Sequence, residues 1–200
     1  FGFITEKEKL NHANTQIIVE HAKRDMMNEA YRVFRTNLDM VIDKKKDEGY
    51  VIMLTSLNPN AGKTYTIMNI AASVSLKPAK VLLLDLDLRK ATLSQALEKN
   101  HRGIAAYLNG KETDFHQFID KAIDRLDNLD LLPVGKLPPN PTELLLTDRF
   151  KTMMTQLRKE YDYIFIDCPP IDIVADAAII TKEVDMTVFV ARAGLLDKRA

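Results

Sequence analysis

Three short segments carry residues that could bind a phosphorylated ligand and its metal ion. The first runs from Asn60 to Thr64, the second contains Asp85 and Asp87, and the third begins at Asp167. The Gly-Lys-Thr series ends a P-loop, in which backbone N–H groups and the lysine contact phosphate while the hydroxyl contacts Mg²⁺. Mg²⁺ prefers oxygen ligands such as carboxylates. Together the segments predict a pocket for a nucleoside triphosphate and Mg²⁺.

Each of these segments lies at the end of an apolar run that is typical of a buried strand. Strands are predicted at 50–55, 80–86, 129–134, 163–166 and 186–191. Helices are predicted at 26–45, 64–76, 91–99, 103–109, 114–125, 142–159 and 174–182. Continuous apolar strands alternating with helices predict an α/β fold, here a P-loop NTPase three-layer sandwich with a mainly parallel sheet and helices on both faces.

The predicted sheet also explains how distant residues would meet. Ligands of open parallel sheets lie outside the carboxyl ends of the strands, so Asp85, Asp87 and Asp167 should converge on the P-loop. Magnesium needs only one or two carboxylates besides water and phosphate oxygens, which leaves one aspartate for another task. We expect Asp85 to orient an acceptor hydroxyl and accept its proton late in the reaction, as an aspartate does in other phosphotransferases.

Length and composition indicate one domain and exclude several function classes. The 200 residues are 46% hydrophobic and carry no formal net charge, which argues against a nucleic-acid partner. One cysteine, no signal-peptide pattern and no apolar run long enough to span a membrane indicate a cytoplasmic segment. We expect an irregular N-terminal arm over 1–25 and a P-loop domain over 26–200 that is truncated at its C-terminus.

The motifs are similar to those of a known family. The segments 58–64 (NPNAGKT), 82–89 (LLLDLDLR) and 164–169 (IFIDCP) resemble the Walker A, A′ and B motifs of bacterial tyrosine kinases. The segment 29–35 matches the family's ExxRxxR pattern, and 138–145 (PPNPTELL) matches its PPNPxELL segment. The resemblance implies an ATP-dependent protein-tyrosine kinase that regulates capsular or exopolysaccharide synthesis and export.

The resemblance also implies roles for individual residues. ATP or ADP would be bound by Asn58, Pro59, Asn60, Ala61, Gly62, Lys63, Thr64 and Tyr65. Catalysis would involve Asp85, Lys63 and Asp87, and Mg²⁺ would be bound by Thr64, Asp87 and Asp167. Glu29, Arg32 and Arg35 would form the interface of a homo-oligomeric ring.

The same resemblance implies where such a kinase works. Its partners would be the tyrosine-rich tails of neighbouring subunits, which it phosphorylates in trans, and a membrane-spanning polysaccharide co-polymerase region, fused or separate. It would therefore lie at the inner face of the cell membrane. One departure matters, because none of the six tyrosines of this chain is near its C-terminus. We expect the natural phosphoacceptor to lie outside these residues.

Other interpretations of the motifs remain open at this stage. An assembly or partitioning ATPase would carry a signature lysine where this chain has Asn58, and a non-catalytic regulator would bind nucleotide through the same residues. The ExxRxxR charges alone would be a solvated helix face. Asn140 and Pro141 fit a turn before a helix, and Cys168 fits a buried apolar position.

Overall fold

A six-stranded β-sheet with helices on both faces makes up the described part of the chain, which in this computed structural model comprises residues 17–20, 24–42, 47–171 and 175–193. The strands are β1 (Tyr50–Thr55), β2 (Val81–Asp85), β3 (Asp120–Lys121), β4 (Leu129–Leu132), β5 (Tyr163–Asp167) and β6 (Met186–Phe189). The helices are α1 (Met26–Val41), α2 (Lys63–Ser75), α3 (Thr92–Ala96), α4 (Ile104–Leu108), α5 (Pro141–Leu145), α6 (Asp148–Glu160) and α7 (Asp176–Ile180).

The strand order is β3-β4-β2-β5-β1-β6, and all pairs are parallel except β3 with β4. Side chains alternate between the two faces of the sheet. On β1, Val51 and Met53 pack against the layer that contains α4 to α7, while Ile52 and Leu54 pack against the layer that contains α1 to α3. The three-layer α/β prediction is therefore confirmed.

The parallel register brings the carboxyl ends of the central strands to one edge. β5 lies between β1 and β2, and Asp167 at its end pairs with Leu54 of β1 and with Asp85 of β2. The P-loop leaves β1 at this same edge and leads into α2, whose middle and end are buried between α1 and the sheet. The sheet thus positions the motifs as the alternating pattern predicts.

Two helix predictions are wrong. The helix expected over 114–125 is a short 3₁₀ turn, His116–Phe118, followed by the antiparallel β3, because the Asp114 carboxylate accepts the His116 N–H and starts a turn. The helix expected over 142–159 is two helices, since the Thr147 hydroxyl caps α6 by accepting the Phe150 N–H at 3.4 Å.

The ends of the chain differ from the predictions in detail. Helix α1 ends at Val41 rather than at 45, and residues 43–46 lie outside the described ranges. Of the expected arm, only residues 17–20 and 24–25 are described, and they contain no helix or strand. In the described ranges no helix combines the length and apolar character needed to cross a membrane.

Candidate active site

The P-loop owes its shape to two residues with left-handed backbone. Asn60 has φ 61° and Gly62 has φ 92°, with Ala61 between them, just before the first turn of α2. Such a sequence of conformations turns successive N–H groups toward one point and makes an anion-binding concavity. A β-carbon at Gly62 would meet no atom within 4 Å, so the backbone angle, and not crowding within the protein, favours glycine there. The loop is braced by Ser56, whose hydroxyl donates to the Asn58 carbonyl at 2.8 Å.

Asp167 lies beside the first residues of α2. Its carboxylate is fully buried, and Oδ2 accepts the Thr64 hydroxyl at 2.7 Å. Among the described residues, Oδ1 has no hydrogen-bond partner although it is buried. Burial raises the pKa of Asp167 to about 6, while the nearby charge of Lys63 and the Thr64 hydroxyl act to lower it. An orphaned buried oxygen beside a threonine hydroxyl is the donor set that a hard cation would complete.

Asp85 is directly opposite Asp167 on the neighbouring strand and is also fully buried. Its Oδ1 accepts the Asp87 N–H at 3.1 Å, and its Oδ2 accepts both the N–H and the hydroxyl of Ser94, at 2.8 and 2.7 Å. Burial raises the pKa of Asp85 to about 8, and the charge of Asp167 adds to the effect. Both oxygens of the candidate base are thus held by the chain itself.

Asp87 completes the acidic group and is 5% exposed. Its Oδ1 accepts the N–H groups of Arg89 and Lys90, which fixes the turn after β2. In the described residues no three acidic, histidine or cysteine side chains could hold a metal ion by themselves. A cation here would therefore be held jointly by carboxylate, the Thr64 hydroxyl, phosphate oxygens and water, as is usual for Mg²⁺.

The other residues predicted to bind nucleotide lie on the P-loop and in the first turn of α2. Pro59, Asn60 and Gly62 are exposed on the loop, and Ala61, Lys63 and Thr64 are half-buried. Tyr65 enters α2, and burial together with the charge of Asp25 raises the pKa of its phenol, so its side chain lies toward the α1 side.

Arg89 belongs to a network that the sequence did not reveal. Its Nε and one terminal nitrogen donate to the buried carboxylate of Asp176, at 2.8 and 3.4 Å. The same terminal nitrogen donates to the Thr142 hydroxyl, which in turn donates to Asp176 at 2.6 Å. The network connects the turn after β2, which carries Arg89, to the start of α5 and the start of α7. Of these three residues, only Asp176 could have been singled out from the sequence, as an acidic residue in the first turn of a predicted helix.

The predicted interface residues lie on α1, away from the strand ends. Glu29 and Arg32 form an ion pair one helical turn apart on the surface. Arg35 instead donates to the Ser73 carbonyl of α2 at 2.7 Å and so helps to pack α1 on α2. The structure therefore separates the outward-facing pair from an arginine that also holds two helices together.

Comparisons with known proteins agree with this geometry. Residues 49–191 match the family described as AAA domain. The tyrosine-protein kinase CpsD of Streptococcus pneumoniae serotype 4 is 39% identical over 173 residues, which cover 86% of this chain and 73% of that protein. The chain belongs to the bacterial tyrosine-protein kinases. The resemblance drawn from its motifs is thereby confirmed.

Two further relatives place this kinase domain within longer proteins. It resembles the kinase domain of Escherichia coli tyrosine kinase ETK with a TM-score of 0.79 and 32% identity, over 86% of this chain and 66% of that one. It is 36% identical to the tyrosine-protein kinase wzc of Salmonella typhimurium over 182 residues, which cover 90% of this chain but 25% of that protein. The chain thus spans about two thirds of the ETK kinase domain and a quarter of wzc.

Proposed function

We propose that this kinase domain transfers the γ-phosphoryl group of Mg²⁺-bound ATP to a tyrosine hydroxyl on another chain. The observation that carries the proposal is Asp167, fully buried, bonded to Thr64 through one oxygen and without a described partner at the other. A buried carboxylate oxygen without a partner is costly, and a cation would remove that cost. Thr64, Asp167 and Asp87 are the residues that would hold Mg²⁺.

Different groups of the chain would bind the phosphates and accept the proton during phosphoryl transfer. The P-loop N–H groups and Lys63 bind the phosphates and keep the transferred group in line with its acceptor. Mg²⁺, when bound, would neutralise charge on the phosphate oxygens. Asp85 is our candidate for taking the acceptor's proton, because its position one strand from Asp167 puts it at the reacting edge of the sheet.

The raised pKa of Asp85 narrows its gap to a phenol, but a group with this pKa is mostly protonated at neutral pH, so Asp85 can act as the base only in its ionised form. Moving a proton from a phenol, with a pKa of about 10, to an ordinary aspartate near 3.9 costs roughly 8 kcal/mol. With the pKa of Asp85 at about 8, the gap shrinks to about 2 units, or roughly 3 kcal/mol. The proton moves late, from the acceptor oxygen to Asp85, because that oxygen becomes more acidic as its bond to phosphorus forms and the bond to the leaving ADP oxygen breaks in a loose transition state.

The acceptor is not one of the six tyrosines in this chain. Tyr31, Tyr107 and Tyr161 are buried, and the other three are half-buried in the fold. A tyrosine held in the sandwich cannot extend into a neighbouring P-loop. We therefore expect an acceptor tyrosine outside these residues, and phosphorylation in trans within a homo-oligomeric ring, with Glu29 and Arg32 at the contact, would present it to the P-loop.

The cellular setting follows from the family. We place the domain at the inner face of the cell membrane, next to a membrane-spanning polysaccharide co-polymerase region, where it would regulate capsular or exopolysaccharide synthesis and export. The support is the 36% identity to wzc, of which this domain would be one quarter.

The test is phosphotyrosine formation by the full-length protein with ATP and Mg²⁺. Lys63→Met should abolish transfer because it removes the phosphate contact, whereas Lys80→Met, an exposed lysine before β2 at the opposite edge of the sheet, should leave it unchanged. Transfer at the wild-type rate by Lys63→Met would refute the proposal. ATP binding without any transfer by the wild type would instead favour a non-catalytic, nucleotide-binding regulator.

A further inference from the structure

Ser94 lies beneath the strand ends and takes part in a directed chain of hydrogen bonds. It is fully buried in α3, and its hydroxyl donates to Asp85 Oδ2 at 2.7 Å. The Val134 N–H, just after β4, donates to the same hydroxyl oxygen at 3.0 Å. A backbone N–H can only donate and an ionised carboxylate can only accept, so when Asp85 is ionised the single hydroxyl proton is directed at it.

The chain bends sharply to bring Ser94 to this place. After β2, the N–H of Ala91 donates to the Asp87 carbonyl at 2.7 Å, and Ala91 itself has φ 50°. This left-handed residue begins α3 and returns the chain under the strand that it has just left. Ser94 then donates both its N–H and its hydroxyl to one oxygen of Asp85. Two donors on one carboxylate oxygen fix the plane of the Asp85 side chain.

The constraint extends from Asp85 to Asp87. The other oxygen of Asp85 accepts the Asp87 N–H at 3.1 Å, so the orientation of the Asp85 carboxylate sets the backbone of the turn that carries Asp87. The link to Val134 adds the end of β4 to the same assembly. One hydroxyl thus connects three adjacent segments at the reacting edge.

We infer that Ser94 is a positioning residue for phosphoryl transfer, which holds Asp85, and through it Asp87, in the geometry that the reaction needs. The inference rests on the proposed function and adds a residue that lies outside all the motifs. Ser94 does not touch the P-loop in any described hydrogen bond, so it should influence transfer more than ATP binding. A purely structural serine would affect stability alone.

The test compares Ser94→Ala with Ser94→Thr and with a matched control. Ser75→Ala removes another buried serine hydroxyl, which donates to the Ala72 carbonyl at the far end of α2. In the full-length protein, Ser94→Ala should lower kcat by about 10- to 100-fold with KM for ATP nearly unchanged, because small misplacements of catalytic groups cost that much. Ser94→Thr, which keeps the hydroxyl, should restore most of kcat, and Ser75→Ala should leave kcat unchanged.

A second measurement does not depend on kinase activity. Hydrogen exchange of the peptide that contains Asp87, followed by mass spectrometry, should be faster in Ser94→Ala than in Ser75→Ala. Unchanged exchange there, an unchanged kcat, or a change confined to KM for ATP would overturn the inference. If the wild type binds ATP and transfers nothing, the proposed function fails, and the exchange result alone decides the role of Ser94.

Discussion

Replacing Asp167 by asparagine should stabilise the ligand-free domain and remove its response to Mg²⁺ and ATP. The carboxylate is fully buried, faces Asp85 across the strand pair, and has an oxygen without a described partner. Asparagine keeps an oxygen that can accept the Thr64 hydroxyl but carries no charge. The substitution therefore removes the cost of burying a charged group, together with a smaller repulsion from Asp87.

The size of the effect follows from the pKa of Asp167, which burial raises from 3.8 to about 6. Above pH 6 the ionised group costs the folded state roughly 3 kcal/mol, at about 1.4 kcal/mol per unit. A weaker bond from Thr64 returns about 1 kcal/mol of this. The net gain of about 2 kcal/mol corresponds to a rise in Tm of about 4 to 8 °C for a domain of this size.

The sign of the pH dependence is a further check. The folded-state pKa lies above the unfolded one, so the folded form binds the proton more tightly and loses stability as pH rises from about 4 to 6. The advantage of Asp167→Asn should be complete at pH 7.5 and should vanish below about pH 3, where both states are protonated. Thermal unfolding at these pH values measures it.

Asp176→Asn is the matched control, since Asp176 is a buried carboxylate that Arg89 neutralises. This variant should melt lower than the wild type, because it breaks a charge-assisted bond. Mg²⁺ with ATP at 100 times its Kd should stabilise the wild type by about 2.7 kcal/mol and Asp167→Asn by much less. If the ligand-free Asp167→Asn domain melts as low as Asp176→Asn, the charge of Asp167 does not destabilise the ligand-free fold.

Two further substitutions test the surroundings of the site. Arg125→Ala should speed proteolysis within 17–20 about 30-fold, because the arginine donates to two carbonyls of that segment at 2.6 and 2.9 Å, each bond being worth about 1 kcal/mol. Cleavage no faster than in Arg102→Ala would contradict this. Gly49→Ala should lower the free energy of unfolding by about 3 kcal/mol, since the added carbon would lie 1.9 Å from a backbone carbonyl oxygen after α6. Gly110→Ala, where the nearest atom is 4.0 Å away, carries only the strain of a left-handed backbone (φ 79°), about 1 to 2 kcal/mol, and should cost less in a urea titration. Equal losses would argue against crowding at Gly49.

The parallel sheet and the meeting of the motifs could be predicted because they depend on patterns that are local in sequence. Buried strands such as β2 and β5 read as continuous apolar runs, and each ends in an aspartate. A parallel sheet brings such ends to one edge whatever the loops between them do. The position of Asp85 opposite Asp167 follows from this rule.

Other features could not be predicted because they depend on contacts between distant segments. Ser94 and Asp176 have no motif, and their importance appears only when the turn after Asp87 and the start of α7 are placed against the strand ends. The failed helix over 114–125 has a similar cause. Its apolar spacing suits a helix, but the local Asp114 turn and the pairing of β3 with β4 determine the structure there.

We propose above that the ends of β2 and β5 and the start of α2 hold one divalent cation together with ATP. Electron paramagnetic resonance of Mn²⁺, added with a non-hydrolysable ATP analogue, measures this directly. The wild-type domain should hold a single tightly bound Mn²⁺, and a variant with both Asp87→Asn and Asp167→Asn should bind it at least about tenfold more weakly, because charged oxygen ligands dominate such sites. Equal Mn²⁺ affinity in the two proteins would show that Asp87 and Asp167 do not hold the cation.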